Sequence, residues 1–358
     1  MIKQIKNSYC CVGLMSGTSL DGLDLVLCEF KRHSKNWSYQ IEKYATVAYL
    51  PQWKKRLQQA PDASGRELMQ LHRDYGRWMA KEVEFFVRDA RSQPDMIASH
   101  GHTVFHEPAS GMNFQLGDGH VIAAETGITT ISDFRSLDVC LNGQGAPLVP
   151  IGDELLFSEY QACVNIGGFV NISCNKDNER IAWDICPANF IANRLVEQKN
   201  LSMDEDGAIG AVGQVIDEML DELNELPYYK QTAPKSLAQE WVERFIWPLL
   251  NKYQHYSLSD RLRTFYEHMA TIIANDLNKQ APAGTYLFTG GGVYNGFLMT
   301  LIREKVKGKV VIPDNVLVEF KEALVFSLLG LLRLTGETNC LKSVTGASRD
   351  CSSGIICG

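Results

Sequence analysis

Residues 13–24 read Gly13-Leu14-Met15-Ser16-Gly17-Thr18-Ser19-Leu20-Asp21-Gly22-Leu23-Asp24. An apolar run, Tyr9–Met15, leads into this stretch and a second, Leu23–Phe30, leads out of it. Between them lie glycines, hydroxyl residues and an aspartate, which is turn chemistry. The segment therefore predicts strand, tight turn, strand. Glycines let the backbone come close to a ligand and let successive N–H groups point at anionic oxygens. Ser16, Thr18 and Ser19 add hydroxyl donors, and Asp21 and Asp24 add carboxylates suited to Mg²⁺, directly or through water. Gly17 and Gly22 also have the GxxxxG spacing of a P-loop. Leu23-Asp24 stands where the P-loop has Lys-Ser/Thr, however, and the turn leads into a strand, so a P-loop NTPase is disfavoured.

Working outward, Tyr39–Tyr49 is a third strand candidate. Leu68, Leu71, Tyr75, Met79, Val83 and Phe86 recur at helical spacing. Asp95–Ser99 and Ile128–Asp133 are short strands. The second half repeats this order. Ala162–Ile166 is a strand, Gly167-Gly168 a turn, Phe169–Cys174 and Ile181–Asp184 further strands, and a helix follows Pro187. A long helical region covers Glu240–Asn278. Thr285–Phe288 is a strand running into Thr289-Gly290-Gly291-Gly292, Lys309–Ile312 is another, and Glu322–Leu334 is an apolar helix. Both halves thus read βββαβαβ with a glycine turn after the first strand. This predicts an α/β fold of two lobes with a cleft between them. The first lobe is expected over residues 1–155, with 336–358 packing on it, and the second over 156–335. Ligands in such folds bind at turns beyond strand ends.

The 358 residues suffice for two domains, and the composition, 45% hydrophobic and 22% charged, is globular. A formal charge of −7 argues against a nucleic-acid partner. No apolar run is long enough to span a bilayer, and the N-terminus lacks a signal-like apolar core, which predicts a cytoplasmic protein. The ten cysteines are scattered without a CxxC pair and read as small buried hydrophobes.

Three glycine turns, each after a strand and spread over two similar halves, point to a bound nucleotide. His100, His102 and His106 compete with that reading, because His-x-His after a strand is a plausible metal pair. They admit a metal-dependent hydrolase as an alternative. Lining or supporting a ligand pocket is the other role open to them.

The segment 13–24 resembles the N-terminal signature of the anhydro-N-acetylmuramic acid kinases. The similarity continues in order through SHGHTVFHEP (99–108), QLGDGHVIAAETG (115–127), SDFRSLDV (132–139), GQGAPLVP (143–150), NIGGFVNIS (165–173), WDICPANFI (183–191), DEDGAIGAVG (204–213), APKS (233–236), FTGGGVYN (288–295) and KEAL (321–324). The resemblance implies an actin-like, ribonuclease H-like, two-lobed kinase that uses ATP with Mg²⁺ and is a homodimer. It implies a role in cell-wall recycling, where such enzymes open a 1,6-anhydro amino sugar with water and phosphorylate the freed O6. It also implies site residues. Gly17, Thr18, Ser19, Leu20, Asp21, Gly22, Leu23 and Asp24 match the ATP phosphate loop, and Gly167-Gly168 a second phosphate turn. Thr289, Gly290, Gly291 and Gly292 match the adenosine side. Asp184 matches the aspartate that activates water. Arg135 and Glu322 match the substrate pocket, with Glu322 expected to take part in catalysis, and Ser16, His102 and Asn189 are expected to meet substrate. The chain departs from the family at Ile185-Cys186, where many members have Thr-Gly, and at Gln239, where many have Arg. These departures admit a further alternative, a non-catalytic actin-like nucleotide-binding protein.

Overall fold

The computed structural model describes residues 6–17, 20–33, 36–233 and 235–358. They form two compact units: one comprises the chain up to Leu156 together with Phe320–Gly358, and the other comprises Phe157–Glu319.

The first unit is built on a sheet of β1 (Ser8–Ser16), β2 (Gly22–His33), β3 (Asn36–Ala48), β4 (Met96–Ser99), β7 (Thr130–Ser132) and β13 (Ile355–Cys357). Its order is β13-β7-β4-β1-β2-β3. The β1–β2 and β2–β3 pairs are antiparallel, while β1, β4 and β7 run parallel. β1 is central, and an apolar run without polar alternation suits a strand covered on both faces. Val12 and Leu14 face a core shared with Leu71, Tyr75, Met79 and Val83 of the helix Gly65–Val87. That helix starts at Ser64, whose hydroxyl and Glu67 form a capping box. On the other face, Gly13 lies so close to the helix Asn315–Thr335 that a Cβ on it would sit 2.1 Å from the Ala323 carbonyl oxygen.

The second unit carries β8 (Ala162–Ile166), β9 (Phe169–Lys176), β10 (Glu179–Pro187), β11 (Thr285–Thr289) and β12 (Lys309–Val311), in the order β10-β9-β8-β11-β12. Here too the first three strands are antiparallel neighbours, and β8, β11 and β12 run parallel. Without the edge strand β13, the first sheet reads third-second-first-fourth-fifth, and the second sheet has the same order. This is the duplicated actin-like, ribonuclease H-like topology. The second core packs Val164, Ile166 and Phe288 against helices Asn189–Val196, Leu258–Gln280 and Gly296–Lys305.

Two expectations need correction, and one element was not foreseen. The unit boundary falls at Phe320, inside the helix Asn315–Thr335, and not at residue 335. The reason is packing: Leu324, Val325, Leu328 and Leu329 are fully buried, and Val325 fits against Gly152 of the first unit. The helical region 240–278 is not continuous. A helix from Gln239 passes through a π-helical turn, Val242–Ile246, and ends at Lys252; a separate helix, Leu258–Gln280, then begins. Ser257 caps it by accepting a hydrogen bond from the Asp260 N–H at 3.1 Å. Finally, His102 and His106 belong to a hairpin inserted after β4, formed by β5 (His102–Glu107) and β6 (Met112–Leu116).

Candidate active site

In the first unit, β1 ends at Ser16 and β2 opens at Gly22, so the turn between them projects from the end of the central hairpin. Thr18 and Ser19 lie outside the described residues. Leu20 adopts φ 59°, and Asp21 is exposed, its carbonyl accepting the Tyr49 N–H at 3.3 Å. Asp24 stands opposite Thr46 in the β2–β3 register and accepts its hydroxyl at 2.6 Å. Leu23 is a core residue, so its backbone alone can meet a ligand. Asp21 and Asp24 supply hard oxygen donors of the kind Mg²⁺ takes.

Ser16 and His102 sit side by side and are buried, with Ser16 Oγ 3.1 Å from His102 Nδ1. Tyr49 donates its phenol hydrogen to Ser16 Oγ at 2.8 Å and also meets the Tyr75 hydroxyl. Burial pushes His102 down to about 4, so it is neutral at pH 7.

Arg135 holds a second histidine. Its Nε and Nη2 approach His100 Nε2 at 3.1 and 2.9 Å, and its Nη1 donates to the Gly145 carbonyl at 2.7 Å. His100 Nδ1 lies 2.8 Å from the Gly101 carbonyl, an acceptor, so that nitrogen carries the proton and Nε2 is the acceptor. Burial, and then the Arg135 cation, keep His100 well below its ordinary range. Glu322 keeps water contact, yet the protein around it is deep enough that desolvation raises its carboxyl, with the Lys321 and Arg135 cations opposing that rise. Beside His100 lies a cavity of about 160 Å³ that Ser99, Asn113, Gln115 and Ser132 also line. Ser99 Oγ, Asn113 Oδ1 and both amide atoms of Gln115 are buried there without a hydrogen-bond partner among the described residues. Such a lining suits a ligand rich in hydroxyl and amide groups.

These contacts weigh against the metal reading of the histidines. Both His100 nitrogens are engaged, one by a cation, and His102 Nδ1 is engaged by Ser16. His106 is exposed in β5, opposite Asn113. The one trio of metal-type side chains near enough together among the described residues is Asp138, Cys340 and Cys351, with no histidine in it.

In the second unit, Gly167-Gly168 joins β8 to β9. The Gly167 carbonyl accepts from Asn189 N–H at 3.2 Å, and the Gly168 carbonyl from Ala188 and Phe190 at 2.9 and 3.3 Å. The turn is thereby tied to the start of the helix Asn189–Val196. A Cβ on Gly167 or Gly168 would meet nothing nearer than 3.5 Å, and one on Gly291 nothing within 4 Å, so these sides are open to a ligand. Gly290 differs. Its φ is 83°, and a Cβ there would lie 2.6 Å from Asn165 Oδ1 and 2.7 Å from the Ile166 carbonyl oxygen, so the turn after β11 needs glycine. Thr289 Oγ1 is buried without a hydrogen-bond partner among the described residues. A cavity of about 550 Å³ opens at this turn, lined by Gly291, Gly292, Asn189, Asn193, Met203 and Tyr294 among others. This is the size range of small-molecule sites.

Asp184 lies on β10 at a register shift between Asp184 and Cys186. Such bulges re-aim side chains and gather near active sites. Its Oδ2 accepts the Leu237 N–H at 2.8 Å, its own N–H donates to the Lys235 carbonyl at 3.0 Å, and its carbonyl accepts the Tyr228 hydroxyl at 2.7 Å. Asp184 does not cap the helix that follows, whose N-cap, Ala188, has no side-chain bond. Burial raises its carboxyl above the usual range, and the Leu237 bond offsets part of that rise. Lys235 is turned toward Tyr228, 3.2 Å from its carbonyl oxygen and 4.5 Å from its ring centre. Sequence reasoning missed Tyr49 and Tyr75, read as a strand end and part of an apolar helix face. It also missed Asn193, Met203 and Tyr294; a polar residue one turn after Asn189 was the available hint.

The chain matches the family model described as anhydro-N-acetylmuramic acid kinase over residues 9–358. It is 34% identical over 358 residues to the anhydro-N-acetylmuramic acid kinase of Shewanella amazonensis, covering 95% of this chain and 96% of that one. With the Bacillus thuringiensis protein of the same name it shares 30% identity over 374 residues, covering 96% and 98%. Among solved structures, a ROK family glucokinase from Streptomyces griseus, in complex with glucose and AMPPNP, is 10% identical, covers 89% of this chain and 98% of that chain, and superposes with a TM-score of 0.41. That likeness is too loose to bear on what this chain does. The extent and identity of the sequence matches show that the chain belongs to the anhydro-N-acetylmuramic acid kinase family.

Proposed function

We propose that this chain opens 1,6-anhydro-N-acetylmuramic acid with water and transfers the γ-phosphoryl group of ATP to the freed O6, releasing N-acetylmuramic acid 6-phosphate and ADP in cell-wall recycling. The observation that carries the reading is Asp184: a half-buried carboxylate of raised basicity, one oxygen held by Leu237 N–H and the other without a partner among the described residues. A base of this kind is what hydrolysis of an intramolecular acetal requires on the face opposite the leaving oxygen. The phosphoryl group captures O6 as the C1–O6 bond breaks, taking the part an acid plays in ordinary glycoside hydrolysis.

The reading gives roles to residues in each unit, taken separately. In the first, the turn after β1 receives phosphate oxygens, and Arg135, His102, Ser16 and Glu322 meet the sugar. In the second, Gly167-Gly168 meets phosphate, Asn189 meets substrate, and the cavity at Gly291-Gly292 takes the adenosine. Mg²⁺, held near Asp21 and Asp24, offsets charge on the phosphates. Charge in phosphoryl transfer is spread over oxygens, so oriented donors matter more than covalent help. We further propose a homodimer working in the cytoplasm; among the described residues no helix is long and apolar enough to cross a membrane.

A coupled assay for ADP, run with and without 1,6-anhydro-N-acetylmuramic acid, tests the activity. Turnover that depends on the sugar is expected, and sugar-independent ATP loss would overturn the reading. In ¹⁸O-water the label should enter at C1 and spare the bridging O6. Attack opposite the β-face anhydro bridge should give the α anomer first. A β anomer appearing first would exclude direct attack by water.

A further inference from the structure

Beyond the helix Asn315–Thr335 the chain doubles back, so that Cys340 and Cys351 oppose each other across an isolated antiparallel bridge. Cys340 donates its N–H to the Cys351 carbonyl at 3.0 Å and accepts the Cys351 N–H on its own carbonyl at 3.1 Å. Residues that exchange both bonds in this way hold their Cα atoms about 5.5 Å apart, inside the span of about 4.4–6.8 Å that a disulfide bridges. Both residues are free thiols, and their sulfurs lie within 4.8 Å of each other. Asp138 completes a trio at that distance, but its Oδ2 accepts the Gly145 N–H at 2.8 Å and its Oδ1 lies 2.8 Å from the Thr345 hydroxyl. Two thiols and an engaged carboxylate fall short of the four ligands that a structural zinc takes. The pair is better suited to a bond between its own sulfurs.

The two thiols are not equivalent. Cys340 is 2% exposed and Cys351 8%. When Cys351 ionises, the Cys340 S–H beside it holds that thiolate below the ordinary thiol range, against the cost of burial. The same contact holds the Cys340 thiol high. The thiolate is the attacking species in disulfide exchange, so Cys351, the nearer to solvent, reacts first and Cys340 resolves. The segment between them, 341–350, grips the stretch that follows Arg135. The Thr345 carbonyl accepts the Gln144 N–H at 2.8 Å, and Ser348 donates its N–H to the Leu141 carbonyl at 2.9 Å.

We propose that Cys340 and Cys351 are a modification site, a reversible dithiol that a small dialkyl disulfide converts to an intramolecular disulfide, closing the loop 341–350 and clamping the segment 135–145 that it grips. The Cys351 thiolate attacks one sulfur of the dialkyl disulfide, forming a mixed disulfide and expelling one thiolate. Cys340 then gives up its proton and attacks the Cys351 sulfur, expelling the second thiolate. Two protein thiols are oxidised, and the dialkyl disulfide is reduced to two thiols that take up both protons. In a reducing compartment the pair rests as the dithiol. The clamp bears on Arg135, whose Nη1 donates to the Gly145 carbonyl, and the disulfide forms whatever Arg135 binds.

The test treats the full-length reduced protein with hydroxyethyl disulfide at mildly alkaline pH, quenches with acid, traps the remaining thiols in denaturant and maps the cysteines by tryptic digestion and tandem mass spectrometry. Cleavage after Arg333, Lys342 and Arg349 puts Cys340 and Cys351 on separate peptides, and fragment ions separate Cys351 from Cys357. Cys140 is exposed and reports that the reagent has acted. The expected result is a Cys340–Cys351 link in the native protein, reversed by dithiothreitol, while Cys140 carries a mixed disulfide. In folded Cys340→Ala the mixed disulfide should stay on Cys351. Free Cys340 and Cys351 thiols once Cys140 has reacted fully would overturn the proposal. So would a mixed disulfide that persists on wild-type Cys351, or a link that forms only in guanidinium. Hydrogen exchange reads the clamp: in the linked protein the Gln144 and Ser348 amides should exchange at least about ten-fold more slowly, the scale of closing a loop. Unchanged exchange in the linked protein would retain the modification site and overturn the clamp.

Discussion

Replacing Asp184 by Asn separates the charge at this position from its shape. The amide oxygen can still accept the Leu237 N–H, now made at 2.8 Å, and the backbone bonds to Lys235 and Tyr228 do not involve the side chain. What disappears is the ability to take a proton. Positioned general-base help amounts to about 10²–10⁴-fold, or about 2.7–5.4 kcal/mol of barrier, and kcat for sugar-dependent ADP release should fall by that factor while ATP affinity by calorimetry stays put. In the wild type, activity should fall as pH drops through a value above the ordinary Asp range, because burial raises this carboxyl. Stability carries the opposite signature. Between the unfolded and the raised folded pKa the native state holds the proton more tightly, so the Asp184 contribution to stability falls as pH rises through that window. Above the window the buried charge is a net cost, about 1.4 kcal/mol for each pH unit of separation. Asp184→Asn should thus melt no lower than the wild type at pH 7, with any advantage vanishing below the ordinary Asp range. Turnover within a few-fold of wild type would remove Asp184 from the base role. A variant that melts well below the wild type at pH 7 would refute the desolvation argument.

Three further outcomes are expected. Gly13→Val should lower the unfolding free energy by about 1–3 kcal/mol or more, the scale of overpacking, because its Cβ would sit 2.1 Å from the Ala323 carbonyl oxygen; an unchanged denaturation midpoint would count against that close approach. Gly291→Leu meets nothing within 4 Å at its Cβ, so stability should hold to within about 0.5 kcal/mol while calorimetry shows weakened ATP binding and unaltered sugar binding; equal ATP affinity would displace the nucleotide from this turn. Arg135→Lys keeps the charge but loses the fork that grips His100 and the Gly145 carbonyl. Sugar KM should rise about 10- to 100-fold, the scale of charge-assisted hydrogen bonds, and an unchanged KM would make the arginine purely structural.

The sequence reveals the duplicated strand order because each glycine turn follows an apolar run, and that pattern is local. The breaks at Lys252 and Phe320 were not legible for different reasons. Ser257 is an N-cap in a stretch whose flanking residues keep helical spacing, and the unit boundary depends on which core claims Leu324 and Leu328, a tertiary fact. The hairpin of β5 and β6 was hidden because His-x-His invites a chemical reading before a structural one. Asp184, Arg135 and the glycine turns could be named through family resemblance, but their environments could not. That Arg135 grips a neutral His100, or that Ser16 meets His102, follows from contacts between residues 35 and 86 positions apart in the chain.

The departures at Ile185, Cys186 and Gln239 can now be weighed against Asp184 itself. Ile185 and Cys186 are both fully buried in the core of the second unit. Bulk added there packs into that core at the bulged end of β10. Gln239 begins a short helix and is exposed. The neighbouring segment holds Asp184 through the backbone of Lys235 and Leu237, not through side chains. Backbone contacts survive side-chain substitution so long as the loop path survives, and the Tyr228 hydroxyl bond to the Asp184 carbonyl secures the same strand independently. The residues that differ from the family pattern therefore leave the carboxylate and its supports untouched. A chain that had shed its chemistry would be free to lose a buried, desolvated carboxylate, which is costly to keep. Its retention here, with one oxygen left without a partner among the described residues, favours a working base over a relic.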